Sequence, residues 1–303
     1  MKLLIYYIAY PILWLISKLP FPIFYFVSDC FFVLLYYVVR YRRKAVTENI
    51  RLTMPHLSDQ EVKDTVKQFY KHLCDIFLEM IKTITISEED LKKRFQFTNL
   101  DTILSVEKQG KSVMLFCAHY ANWEWLIILD KFIHFQGYAV YKKIANPHFN
   151  AMFLKIRTRF NTRLVEMKET IRVIRQNEIN KNHGIYAFIS DQSPMIGDAN
   201  YWQDFMGIEV PVFTGGEALC KKFNMEPMYL KVEYLKRGHY QATFVPLLQA
   251  GEQVKEVPNY ELTHRFLQEV EKQINEAPAY YFWTHKRWKH RGKKPANIKS
   301  FHN

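Results

Sequence analysis

Cysteine and glycine are sparse in this chain. Its four cysteines (Cys30, Cys74, Cys117 and Cys220) are scattered over 303 residues with no C-x-x-C pair. That spacing argues against a disulfide framework or a zinc finger, and a reducing compartment fits. With 10 glycines and 12 prolines, the chain falls outside the collagen-like and low-complexity classes. The signatures G-x-G-x-x-G, G-x-x-x-x-G-K-[ST], H-E-x-x-H and G-x-S-x-G are absent, which removes the best support for nucleotide-cofactor, zinc-protease and hydrolase-elbow chemistry. No histidine group has metal-ligand spacing, so no metal or tightly bound cofactor is expected. Acidic residues are outnumbered, 30 against 42 Lys plus Arg, leaving a net charge of +12. Such a charge calls for an acidic partner: nucleic acid, anionic lipid or an acidic protein. The aromatic–basic blocks of nucleic-acid binders, such as an RNP motif, are missing, so nucleic acid is not expected.

Aromatic residues, by contrast, make up 16% of the chain, and they crowd into its first 41 positions. Leu3 to Ile16 is apolar or aromatic throughout, and Lys18 and Pro20 then interrupt. Phe21 to Val39 carries a single charged residue, Asp29, and runs into Arg40, Arg42, Arg43 and Lys44. Only this second stretch approaches the roughly 20 residues that cross a bilayer core. No small-x-small cleavage site follows the first stretch, and Pro11 and Trp14 sit badly in a short signal-peptide segment. Residues 1–41 read as a retained membrane anchor, with the basic cluster holding residues 42–303 on the cytoplasmic side.

Beyond the anchor, helical and strand patterns alternate. From Glu61 to Thr83, apolar residues at Val62, Val66, Phe69, Leu73, Ile76, Phe77, Met80 and Ile81 fall on one helical face. Ser87 with Asp90 reads as the cap of a short helix ending near Arg94. Val113–Phe116, Tyr138–Tyr141, Ile185–Ile189, Met228–Val232 and Gln241–Val245 read as strands. Helices are expected from Asn146-Pro147 to Arg159, over Thr170–Gln176 and from Tyr260 to about Asn275. Without an internal repeat or an obvious linker, this order predicts one α/β domain with a central mixed sheet flanked by helices.

The segment from Ser112 to Glu124, SVMLFCAHYANWE, carries the chemistry. Five helical steps turn about 500°, so His119 and Glu124 cannot share a face of a regular helix. They can meet if His119 occupies the turn after a strand and Glu124 the helix that follows, with Asn122 helping to start it. α/β folds place their chemistry at such a junction. An acid beside an imidazole fixes its tautomer and stabilises the imidazolium, which suits general-base activation of a hydroxyl. Cys117 invites a nucleophile reading, but two residues before His119 and inside a strand it reads as a buried, reduced thiol.

Further blocks accompany this one: Arg42-Arg43-Lys44 with Asn49 and Pro55; Ser190-Asp191-Gln192; Phe205-Met206-Gly207; Pro211, Thr214 and Gly215-Gly216; Met225-Glu226-Pro227; and Tyr281 to Lys289, YFWTHKRWK. Together they resemble the late lipid A acyltransferases, the lauroyl/myristoyl transferases of Gram-negative envelope synthesis, over nearly the whole chain to about Lys289. The H-x-x-x-x-[DE] block is shared with the wider glycerolipid acyltransferases.

The resemblance implies a glycerolipid-acyltransferase-like domain on N-terminal anchoring helices, at the cytoplasmic face of the inner membrane. It implies transfer of a fatty acyl chain from acyl carrier protein to a hydroxyl of the lipid A precursor. An enzyme of the same fold acting on the hydroxyl or amine of another membrane lipid (an aminolipid, a glycolipid or a pigment) is the alternative. His119 maps to the general base and Glu124 to its acidic partner. Arg157 and Arg159 map to the family's basic pair, Asp191 to the acid of its D-Q motif, and Gly207 and Gly216 to turns near the substrate phosphate. Arg159, or backbone N–H groups near Gly207, are candidate oxyanion donors. Trp283, His285 and Arg287 alternate like one face of a strand.

Acyl carrier protein, a phosphorylated acceptor and an anionic membrane surface all suit a charge of +12. The apparent second-order rate with an acidic donor should therefore fall as salt rises toward physiological strength, where charges beyond about 8 Å are screened. A flat salt profile at subsaturating donor contradicts this steering.

Overall fold

The computed structural model describes residues 2–295. Two helices lead, α1 (Lys2–Lys18) and α2 (Phe21–Val33), and α2 continues as a wider π-type coil to Val39. Then follow α3 (Arg43–Thr53), α4 (Asp59–Lys82), α5 (Glu88–Arg94), β1 (Phe95–Phe97), α6 (Leu100–Lys108), β2 (Val113–Cys117), β3 (Gln136–Tyr141), α7 (Pro147–Arg157), β4 (Arg163–Glu166), α8 (Thr170–Ile179) and β5 (Gly184–Ile189). The chain ends with β6 (Trp202–Phe205), β7 (Ile208–Pro211), α9 (Gly215–Phe223), β8 (Glu226–Lys236), β9 (His239–Pro246) and α10 (Glu261–Glu276).

Seven strands form one sheet in the order β1-β9-β8-β2-β5-β3-β4. β2 pairs parallel with both β5 and β8, and every one of its residues is buried. Such a strand, covered on both faces, reads as the continuous apolar run Val-Met-Leu-Phe-Cys. β8 and β9 form an antiparallel hairpin, which makes the sheet mixed. β6 and β7 form a separate two-stranded hairpin. Its two-residue turn, Met206-Gly207, has φ of 56° and 71°, the left-handed backbone that tight hairpins require and that glycine adopts freely.

α4 is the longest helix and the keel of one face. Ser58 and Glu61 close a capping box at its start, and Val62, Val66, Phe69 and Leu73 join the core beneath the sheet. Its other side receives the N-terminal segment. Phe24, Tyr25, Ser28 and Phe32 of α2 are buried, while Ile23, Phe26, Val38 and Val39 remain exposed. Ser28 Oγ donates to Asp75 Oδ1 at 2.6 Å. Arg237, in the β8–β9 turn, grips Asp75 at 2.7 and 2.8 Å and Asp29 at 2.8 and 3.1 Å. Lys82 Nζ donates to the carbonyls of Ser17 and Leu19, closing the open end of α1. Phe21–Val39 is long and apolar enough to cross a membrane by length and composition alone.

One strand expectation fails. The stretch from Tyr281 to Lys289 is a series of turns, with bonds such as Trp283 N–H to Tyr281 O and Arg287 N–H to His285 O, and a lone bridge joins Tyr281 to Tyr120. Trp283 and Trp288 are buried, with their indole N–H groups satisfied by Pro278 O and Phe205 O and their rings stacked on each other. Alternation here reports a folded turn, not a pleat. Of the seven Lys and Arg residues from Lys286 to Lys299, a run suited to an acidic donor, headgroup or bilayer, Lys299 lies outside the described residues.

At the β8–β9 turn Gly238 has φ of 71°, and a Cβ there would collide with the Tyr25 hydroxyl and Arg94. Gly238→Ala should lower unfolding stability by ~1–3 kcal/mol, read as a lower denaturant midpoint. An unchanged midpoint would show that the turn does not need glycine.

Candidate active site

The site follows from strand register. β2 and β5 run parallel with Cys117 opposite Ile189, and Ser190 N–H donates to Cys117 O at 3.1 Å, which carries the pairing past the strand ends. His119 and Asp191 each lie two residues beyond that last pair, so they emerge side by side at the carboxyl end of the sheet. His119 Nδ1–H donates to Asp191 Oδ1 at 2.7 Å. With Nδ1 carrying the proton, Nε2 is the basic nitrogen of the neutral ring. The Gln192 amide nitrogen lies 3.3 Å from both ring nitrogens. Phe282 stacks on the imidazole and Trp123 meets it edge-on, and Phe282 N–H donates to His119 O.

Asp191 is only 1% exposed. Burial alone would favour its neutral form, but the imidazole beside it and the donors around it hold the carboxyl below the usual carboxylate range. Arg287, fully buried, braces the same segment: its Nη1 donates to Ser193 Oγ and to Pro211 O, both at 2.9 Å. Ser193 Oγ in turn donates to Arg287 O. Burial pushes the guanidinium down to about 10, with Tyr281 and Asp191 acting in the opposite sense.

Glu124 is not the partner of His119 in this structure. It opens the short 3₁₀ turn Glu124–Lys131 and is committed to Arg157, whose Nε and Nη2 reach its two oxygens at 3.0 and 2.6 Å. Such a two-pronged pair is a strong one. Asn122 starts the turn as predicted, its Oδ1 accepting from Trp125 N–H at 3.0 Å.

His119, Trp123, Glu124, Arg157, Gln192, Gly215, Gly216 and Phe282 all line one cavity of about 830 Å³. Most of the remaining lining is apolar, from Leu115, Ile185 and Ala187 of the sheet to Leu126, Val140, Leu164 and Leu219, interrupted by polar groups such as Asp130, Lys142, Thr162 and Lys222. Volume and lining suit a large apolar ligand held by a few polar groups. Gly216 stands against Phe116 so closely that a Cβ would strike the ring.

Three expected residues do not line this wall, and the first, Asp191, stands buried behind His119. α7 ends at Arg157, and beyond it Arg159 turns back to donate from Nη1 to Thr83 O at 2.6 Å. Gly207 forms the tip of the β6–β7 hairpin and is not among the cavity-lining residues. Cys117 is buried in β2, and burial pushes its thiol far above the usual range, which leaves almost no thiolate for nucleophilic attack.

A histidine on the wall of an apolar cavity, backed by a buried carboxylate at the carboxyl end of a sheet, is an arrangement that can serve general-base chemistry in an α/β enzyme. The chain belongs to the bacterial lipid A biosynthesis acyltransferases: that family's sequence profile matches residues 1–290. The resemblance carried by the H-x-x-x-x-E, D-Q and W-x-H-K-R blocks is thereby established, and with it an acyltransferase of lipid A synthesis. No curated protein sequence matches the chain.

Double-mutant cycles separate the two carboxylates. His119→Ala should lower turnover by roughly 10²–10⁴-fold, and Asp191→Asn added to it should cost little more, because paired groups act as one unit. Glu124→Gln should couple instead to Arg157→Ala. Strong coupling of His119 to Glu124 and none to Asp191, measured as kcat/KM, would contradict the arrangement described.

Proposed function

We propose that this protein transfers a fatty acyl chain from acyl carrier protein to a hydroxyl of the lipid A precursor, in a ternary complex. The observation that carries the reading is His119, backed by the buried Asp191, on the wall of an apolar cavity of about 830 Å³. The cavity takes the acyl chain, and its polar wall receives the thioester and the acceptor hydroxyl.

His119 Nε2 removes the hydroxyl proton as the oxygen attacks the thioester carbonyl, while Asp191 stabilises the imidazolium. The tetrahedral oxyanion collapses, the carrier thiolate leaves, and the imidazolium returns the proton to it. No acyl-enzyme forms. Arg157, anchored by Glu124 and 29% exposed at its side chain, is a cation on the wall available to an acceptor phosphate or to the oxyanion, and Lys142 and Lys222 also line the cavity.

Residues 1–41 attach the chain to the membrane, and residues 42–303 form the acyltransferase domain at the cytoplasmic face of the inner membrane. Support comes from the apolar outer face of α2, from Arg40, Arg42, Arg43 and Lys44 following Val39, and from the preference of such basic clusters for the cytoplasmic side.

Mass spectrometry of lipids after mixing purified protein with acyl carrier protein thioesters and a panel of membrane lipids tests the reading. The lipid A precursor should gain one acyl chain while the carrier thiol is freed. Acylation confined to an aminolipid, a glycolipid or a pigment would overturn the acceptor assignment.

A further inference from the structure

Glu79 of α4 is fully buried, yet among the described residues it forms no ion pair. Three neutral donors surround its carboxyl instead. Tyr25 Oη donates to Oε1 at 2.7 Å, Tyr240 Oη to Oε2 at 2.8 Å and Asn122 Nδ2 to Oε2 at 2.7 Å. Burial, reinforced by nearby Asp75, pushes the carboxyl up to about 8. An apolar side chain would fill this place at far lower desolvation cost, so the group's use lies in what it holds.

It holds the turn that carries the chemistry. Asn122, fixed by the Glu79 carboxyl, accepts from Trp125 N–H. The Glu79 backbone carbonyl accepts from the Trp125 indole at 3.1 Å. Residue 79 therefore grips both Asn122 and Trp125, with Trp123 and Glu124 of the cavity wall between them. The same turn contains Ala121 at φ of 48°, a left-handed conformation that strains a non-glycine residue and persists only where neighbours enforce it. Tyr25, which donates to the other oxygen, belongs to α2, so the N-terminal segment bonds to the same carboxyl that fixes the turn.

We propose that Glu79 is a positioning residue for acyl transfer: through Asn122 it sets the turn bearing His119, Trp123 and Glu124, and through Tyr25 it ties that turn to the N-terminal helices. The proposal rests on the reading of His119 as the base.

Full-length Glu79→Gln, which keeps the size but turns an amide N–H₂ toward a donor, should lower kcat by about tenfold or more, with KM within about twofold of the parent. The double variant Glu79→Gln/Asn122→Asp restores the bond with donor and acceptor exchanged and should recover most of the lost kcat. Tyr25→Phe should give a smaller loss in kcat. If Glu79→Gln does not fold, Asn122→Ala cuts the same bond from the other side and carries the same expectation. A folded single variant with unchanged kcat, or an exchanged pair no better than the single, overturns the proposal. His119→Ala in the same assay separates the two claims. If it is inactive while Glu79→Gln turns over normally, the positioning role alone fails; if it remains active, the reading of the site fails with it.

Discussion

Parallel pairing of β2 with β5 is the constraint on which the site depends. Hydrogen bonds between the strands hold Cys117 level with Ile189, and the two chains leave the sheet together. A residue two positions past each end then falls within hydrogen-bonding distance of its counterpart, although 72 positions separate His119 from Asp191 in sequence. Slipping the register by one residue would reverse which face each side chain meets and separate imidazole from carboxylate. Because β2 is buried on both faces, that register is strongly specified. The apolar core therefore fixes the polar geometry at its edge.

Around this pair the molecule uses buried polar groups as ties between elements that hydrophobic packing alone would leave free to slide. Asp75 and Glu79 lie one helical turn apart on α4. The first joins α2 to the β8–β9 turn through Ser28 and Arg237; the second joins α2 to the active-site turn. Arg287 does the same for the segment after β5, reaching Ser193 and Pro211 from the C-terminal turns. Each tie is directional, so it selects one arrangement where a greasy contact would tolerate several. The outward apolar face of α2 remains uncovered by the protein.

Much of this was legible in the sequence, and the boundary has a physical cause. Local patterns read well: the amphipathic run of α4, the Ser87 cap whose Oγ accepts from Asp90 N–H, the apolar strand before His119 and the turn after it. Short elements did not; β1 and β4, at 3 and 4 residues, have too little length for a period to show. Pairing between distant segments is not a local property, which is why the sequence points to Glu124, close to His119 along the chain, while in the fold Asp191 holds that place. The resemblance pairs Arg157 with Arg159, but α7 stops at Arg157, and the two guanidinium groups go to different partners, a carboxylate and a backbone carbonyl. Glu79 was invisible for a related reason: a lone acid on an amphipathic helix looks solvated until the elements that cover it are known.

The central claim is that His119 acts as a general base beside the reacting hydroxyl. Chemical rescue tests it most directly: His119→Gly leaves room in the cavity for free imidazole, and transfer is followed as imidazole is added. The account predicts a nearly inactive variant whose rate rises with imidazole and then saturates, as a base occupies the vacated place. A variant that works near the parent rate without imidazole, or stays folded and inert at every concentration, would contradict it.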